Sequence, residues 1–95
     1  MPSVAVDLVF NALADATRRH ILEVLANRGS ASASDMAQEM TISRQAIAKH
    51  LRILEGAGLV SKARQGKALC YSVKPQQLAA TGRWLQRFAA RWEQH

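Results

Sequence analysis

Apolar residues recur at helical spacing over most of this chain and change to alternation over one short stretch. Val6, Val9, Phe10 and Leu13 fall at i, i+3, i+4 and i+7, which predicts an amphipathic first helix. Asp15 is placed to cap a second helix that buries Ile21, Leu22 and Leu25 and ends near Gly29. Ser32, with Asp35 three residues on, has the form of a capping box and opens a short helix whose apolar residues are Met36, Ala37 and Met40. A brief Thr41-Ile42-Ser43 interruption follows. Ser43 can then cap a fourth helix with Ile47, Leu51 and Leu54 on one face, and Gly58 ends it. Beyond that point the period shortens. Leu59 to Arg64 reads as a strand, Gln65-Gly66 as a turn, and Leu69, Tyr71 and Val73 alternate along a returning strand. Pro75 opens a last helix at its first turn, running to about Glu93, with Leu78, Leu85, Phe88, Ala89 and Trp92 in one stripe that Trp84 widens.

The expected order is therefore α-α-α-α-β-β-α, mainly α with a small β-hairpin, in one domain over residues 1–95. No linker, repeat or low-complexity block interrupts it. The third and fourth helices, joined by a tight turn, form a helix-turn-helix whose second member has a polar and basic face of Arg44, Gln45, Ala48, Lys49 and Arg52. Such a helix suits docking in the DNA major groove. A hairpin directly behind it is a wing, so the predicted class is a winged helix-turn-helix. Ser43, Arg44, Gln45, Ala48, Lys49 and Arg52 are the expected DNA-contacting residues of the helix. Lys62, Arg64 and Lys67 are those of the wing, placed for phosphate or minor-groove contact. Each has an ordinary alternative. A charged helix face is usually just solvated, and lysines and arginines flanking a hairpin protect its edges from stray pairing. Arg52 and His50 suit bracing or phosphate contact better than base reading, while Arg18 and Arg19 suit solvent or an ion pair with Asp15 or Glu23.

Charge supports the nucleic-acid reading. Thirteen Lys and Arg against seven Asp and Glu give a net charge of +6, which favours polyanions. A membrane surface is the weaker alternative, because no apolar run approaches the ~20 residues that span a bilayer. The first residues, Met1 to Asp7, lack the basic start and long apolar stretch of a signal peptide. A single cysteine cannot form an internal disulfide, which suits a reducing cytoplasm. Enzymatic chemistry has no support here: there is no glycine-rich phosphate loop, paired-carboxylate constellation or recognisable nucleophile motif.

Three runs of this chain resemble the ArsR/SmtB family of bacterial transcription factors: Phe10 to Leu22, Ser43 to Leu51, and Glu55 to Val60, with Gly66 and Tyr71-Ser72 of the hairpin fitting the same pattern. The resemblance spans nearly the whole chain. It implies a homodimeric winged helix that represses transcription from an operator with two-fold symmetry. The closing Gly82 to Trp92 segment looks most like the SdpR-like autorepressor branch, which lacks metal sites and is often encoded beside a small ligand-binding protein. Ala16 departs from the family, which usually has proline there, at a small loss of preorganisation. Metal-sensing members carry Cys-x-Cys near the start of the third helix, whereas this chain has Ser30-Ala-Ser32-Ala-Ser34-Asp35. His20 and His50 are far apart, and only Glu93 and His95 lie on the last helix, so neither a metal nor another cofactor is expected.

Two further expectations follow. Cys70 lies between inward Leu69 and Tyr71, so alternation places it on the outer face of the wing, either as a tolerated small residue or as a redox switch. The apolar faces of the first and last helices exceed what one short chain can cover. Val6, Val9, Phe10, Leu13, Leu78, Leu85, Phe88 and Trp92 are the expected homodimer interface, with a monomeric core helix as the alternative. Release from DNA would come from an effector protein, an organic ligand or autoregulatory dose. The competing functional class is a winged-helix protein-interaction or small-ligand-responsive module with weak DNA binding.

Overall fold

In a computed structural model, residues 4–93 are described, and Met1 to Ser3, Gln94 and His95 lie outside them. The element order is α1 (Val4–Leu13), α2 (Ala16–Arg28), β1 (Ala31–Ser32), α3 (Ala33–Met40), α4 (Arg44–Gly56), β2 (Val60–Gln65), β3 (Ala68–Val73) and α5 (Gln76–Glu93). Short polar side chains start three of these helices. Asp15 Oδ1 accepts the Arg18 amide at 3.1 Å, Ser32 Oγ that of Asp35 at 3.1 Å, and Ser43 Oγ that of Ala46 at 3.1 Å. Asp35 Oδ2 in turn accepts the Ser32 amide at 3.2 Å, completing the capping box. Each satisfies a helix-terminal donor that would otherwise be orphaned. Gly29 closes α2 at φ 86°, its amide donating to the Leu25 carbonyl at 2.8 Å.

The core is the convergence of the apolar faces the pattern predicted. Val9, Ile21, Leu25, Met36, Ile47, Leu51, Leu54 and Leu59 are all effectively removed from solvent. Burial of one such side chain is worth roughly 1.5–3 kcal/mol, so this cluster fixes how α1 to α4 pack. Tyr71, Val73 and Leu78 lean on its edge from the sheet and from α5.

Several expectations are corrected. The hairpin is part of a three-stranded antiparallel sheet in the order β1-β3-β2, because Ala31 and Ser32 pair with Tyr71 and Cys70. Leu59 precedes the strand and is buried. Pro75 stands just ahead of α5, its carbonyl accepting the Ala79 amide at 2.9 Å. Leu69 does not point into the core: it lies past the core's edge near the hairpin tip and is exposed. Cys70 shares a sheet face with Ser32 and Ala63, away from Tyr71, but is half-buried beside β1 instead of fully outside. Val6 and Val9 are consumed by the chain's own packing, and Leu13 and Leu78 pack against the same core. Phe10, Leu85, Phe88 and Trp92 do remain exposed, joined by Val4 and Leu8 on α1.

Helix α5 leans on α1 through aromatic rings. Phe10 meets Trp84 edge-on with centroids 5.7 Å apart, and Trp84 stacks on Phe88 at 5.6 Å. Thr81 is buried where α5 meets the body, its hydroxyl donating to the Gln77 carbonyl at 2.8 Å. The rest of the helix extends outward, giving a molecule 53 Å long and 23 × 22 Å across.

Candidate nucleic-acid interface

Helix α4 is held by one face and free on the other. Ile47, Leu51 and Leu54 are buried, while Arg44, Gln45, Lys49 and Arg52 are exposed and Ala48 is half-buried between them. At 3.6 residues per turn, Arg44, Gln45, Ala48, Lys49 and Arg52 occupy an arc of about 140°. The Ser43 cap leaves Arg44 and Gln45 in the first turn, where a recognition helix meets base edges. Thr41 makes the turn before it in the left-handed region, at φ 57° and ψ 42°, with its amide bonded to the Ala37 carbonyl.

Strand register sets the wing. Val60 pairs with Val73, Lys62 with Tyr71 and Arg64 with Leu69, so these six side chains share one face of the hairpin. Val60 and Val73 lie at its core end, and Arg64 and Leu69 near its free end. Gly66 turns the chain at φ 64° and Lys67 follows with ordinary φ, the sign pattern of a type II′ turn. Arg64 Nη1 reaches back to the Lys67 carbonyl at 3.5 Å. Lys62 behaves differently from its neighbours: its Nζ lies 3.3 Å from Glu55 Oε1, tying the wing to the end of α4. It is therefore a less available DNA contact than Arg64 or Lys67.

Ion pairs are few among the described residues, and the exposed cations of the α4 face and the wing tip, like those of α5, take part in none. Arg28 pairs with Asp35 and Glu39, and Lys62 with Glu55. Among the described residues, Arg44, Lys49, Arg52, Arg64 and Lys67 form no ion pair. A set of cations without internal counter-charges, spread over a capped helix and an adjacent hairpin, suits a ligand that supplies the negative charge itself.

Arg18 has a role the sequence did not reveal. Its Nε donates to the Ala12 carbonyl at 2.7 Å and Nη2 to the Asn11 carbonyl at 3.2 Å, while Nη1 lies 3.3 Å from His50 Nδ1. One guanidinium thus closes the C-terminal end of α1 and reaches the inner side of α4. Arg19 also caps α1, at the Leu13 carbonyl, 2.5 Å away. Neither arginine forms the ion pair with Asp15 or Glu23 that proximity suggested. Only knowledge of which helices cross could have found this, since His50 is thirty-two positions away. The Asp15 carboxyl is held below its ordinary range by the Arg18 amide and, less strongly, by the charges of Arg18 and His50. Asp35 is lowered in the same way, by the Ser32 amide and hydroxyl and then by Arg28.

Residues 13–62 match the model of a helix-turn-helix domain family. The transcriptional repressor SdpR of Bacillus subtilis is 38% identical over 80 residues, covering 84% of this chain and 88% of the repressor. Among solved structures, an ArsR-like transcriptional regulator from Rhodococcus sp. RHA1 superposes with a TM-score of 0.85 at 41% identity, covering 95% of this chain and 84% of that one. The homodimeric winged helix-turn-helix DNA-binding domain of Mb0332 from Mycobacterium bovis, a possible ArsR-family regulator, superposes with a TM-score of 0.73 at 27% identity, covering 90% and 79%. With its helix-turn-helix, its wing and these relatives, the chain belongs to the ArsR family of winged helix-turn-helix, DNA-binding transcriptional regulators, and is not an enzyme.

Proposed function

We propose that this protein is a repressor that binds a two-fold symmetric operator as a homodimer and does so without metal sensing. The observation that carries the proposal is the basic surface of the exposed α4 face and the wing tip, whose Arg44, Lys49, Arg52, Arg64 and Lys67 form no ion pair among the described residues, with Arg44 and Gln45 at its leading edge. Gln is suited to bidentate pairing with adenine and Arg to guanine, each worth roughly 1–3 kcal/mol of discrimination. Arg64 and Lys67 supply attraction to phosphate. Dimerisation is supported by the exposed apolar residues of α1 and α5, which leave the reading surface free. The homodimeric neighbour from Mycobacterium bovis points the same way.

The residues at the start of α3 do not fit a metal. Ser32 Oγ and the Asp35 carboxylate are engaged with each other's backbone and with Arg28, and no thiolate lies between Ser30 and Asp35. His50 contacts Arg18. Zn²⁺ or arsenite is therefore expected to leave operator affinity unchanged, with release coming from an effector protein, an organic ligand or autoregulatory dose. No helix among the described residues is long and apolar enough to cross a membrane, and the reading places the protein with the DNA in the cytoplasm.

The test is selection of genomic fragments on the protein, followed by affinity measurements on the recovered site. The expected site is a palindrome with half-sites about one helical turn apart, or a multiple of it. Equal affinity for the palindrome and for a scrambled duplex would overturn the reading in favour of an interaction module.

A further inference from the structure

A cleft of about 540 Å³ opens between the start of α3, the first turns of α4 and the free end of the wing. Three elements meet there. Arg44 comes from α4, Arg64 and Lys67 from the wing, and the serines of the α3 start add hydroxyls. No carboxylate lines the cleft. Asp35, the acid nearest in sequence, is committed to the Ser32 amide and to Arg28. Among the described residues none of the three cations forms an ion pair, and Arg64 has only the long 3.5 Å contact to the Lys67 carbonyl. The wall between them is not polar. Leu69 and Tyr71, on the same sheet face as Arg64, line it beside Ala48.

We propose that this cleft is a binding site for a small phosphorylated organic anion, which competes with DNA for Arg44, Arg64 and Lys67. Three cations and adjacent hydroxyl donors match the terminal oxygens of a phosphoryl group better than a single carboxylate, which needs one bidentate partner. The volume falls within the 300–1,000 Å³ range of small-molecule sites and far exceeds one phosphate, and the Leu69–Tyr71 wall offers apolar contact to an attached ring. A DNA phosphodiester presents the same chemistry, so the competition rests on the operator-binding reading above, whereas the site itself does not. Regulation of this kind needs no conformational relay, because ligand and operator would share the same guanidinium groups.

The probes are inorganic phosphate and phenyl phosphate, titrated at constant ionic strength into isotopically labelled full-length protein while backbone amide shifts are followed. Saturable shifts confined to the cleft are expected, with phenyl phosphate binding about ten-fold more tightly than phosphate. Arg64→Gln and Lys67→Gln, both at the exposed hairpin tip, should each weaken phenyl phosphate about ten-fold, as expected for a charge-assisted contact. Arg87→Gln on α5 should not change it. Shifts that never saturate, or that spread equally to Arg83, Arg87 and Arg91, would overturn the site. In the second arm, phenyl phosphate should raise the apparent Kd of the recovered operator progressively with its own free concentration, without a plateau. Saturable binding without displacement would overturn the competition and leave the repressor reading intact. Failure of every duplex to bind would sink the repressor reading, with the first arm still deciding the site.

Discussion

Thr41 carries the turn between α3 and α4 in the left-handed region, at φ 57°, where a β-branched L-residue pays about 1–2 kcal/mol. Asn tolerates that conformation better, and Thr41 is exposed, so Thr41→Asn should raise the thermal midpoint, with a gain of up to about 1 kcal/mol. A lowered midpoint would mean that the threonine side chain makes a compensating contact. The capping aspartates set the response to acid. Asp15 and Asp35 both have folded pKa values below their ordinary 3.8. Their contribution is therefore complete above about pH 5 and is lost as pH falls through the folded values. Asp15→Asn retains a capping oxygen but cannot titrate, so its midpoint should decline less than wild type between about pH 5 and pH 2. Parallel curves for the two proteins would remove Asp15 from the acid response. All three side-chain caps were legible in the sequence because a cap is local: donor and acceptor lie within three residues. The bonds of Arg18 were not, because they depend on where α1 ends and on which side of α4 passes.

Among the elements, the proposed operator contact is divided between α4 and the hairpin. The helix offers Gln45 in its first turn, free of intramolecular partners on its exposed face, and the wing offers Lys67 at its turn. Gln45→Ala should relax the base preference at one position of each half-site, whereas Lys67→Ala should weaken all duplexes alike. The latter should also reduce the slope of log K against log salt by about two per dimer, one phosphate contact per subunit. Binding to a panel of half-site variants at several salt concentrations decides both. A uniform loss for Gln45→Ala, with base preference intact, would make Gln45 a positioning residue. The helices of this fold were readable from period and punctuation, and so was the hairpin. Strand β1 was not, since two residues carry no period and Ala31-Ser32 pairs only because β3 passes beside it. The same strand explains why Cys70, outward by alternation, is half-covered. Nor could periodicity tell which apolar residues of α1 face the chain's own core: Val6 and Val9 do, while Leu8 and Phe10 do not.

At the scale of the molecule, the described chain ends in a helix it cannot cover. Leu85, Phe88 and Trp92 lie along α5 with 47%, 52% and 72% of their surfaces exposed, and Phe10 of α1 continues the patch through its contact with Trp84. Four large apolar side chains left in water, at roughly 1.5–3 kcal/mol each on full burial, are a strong drive to associate. A second copy related by a two-fold axis would meet the patch with the same patch, and would leave α4 and the wing of each copy free. Wild-type protein should therefore sediment as a dimer at micromolar concentration. Trp92→Asp is the most discriminating variant. Trp92 lies far along the projecting part of α5, outside the core cluster and outside the Phe10–Trp84–Phe88 ring contacts, so a charge there leaves the fold of the subunit intact. It should shift the equilibrium toward monomer with an unchanged helical spectrum. Operator affinity should fall with it, because two linked reading heads bind about 10²–10⁴ times more tightly than one. The isolated half-site should hold the variant and the wild-type subunit equally well, since Arg44, Gln45 and the wing are untouched. A wild-type monomer under these conditions, or a Trp92→Asp protein that remains dimeric and binds the palindrome normally, would show that the apolar face of α5 serves some other contact.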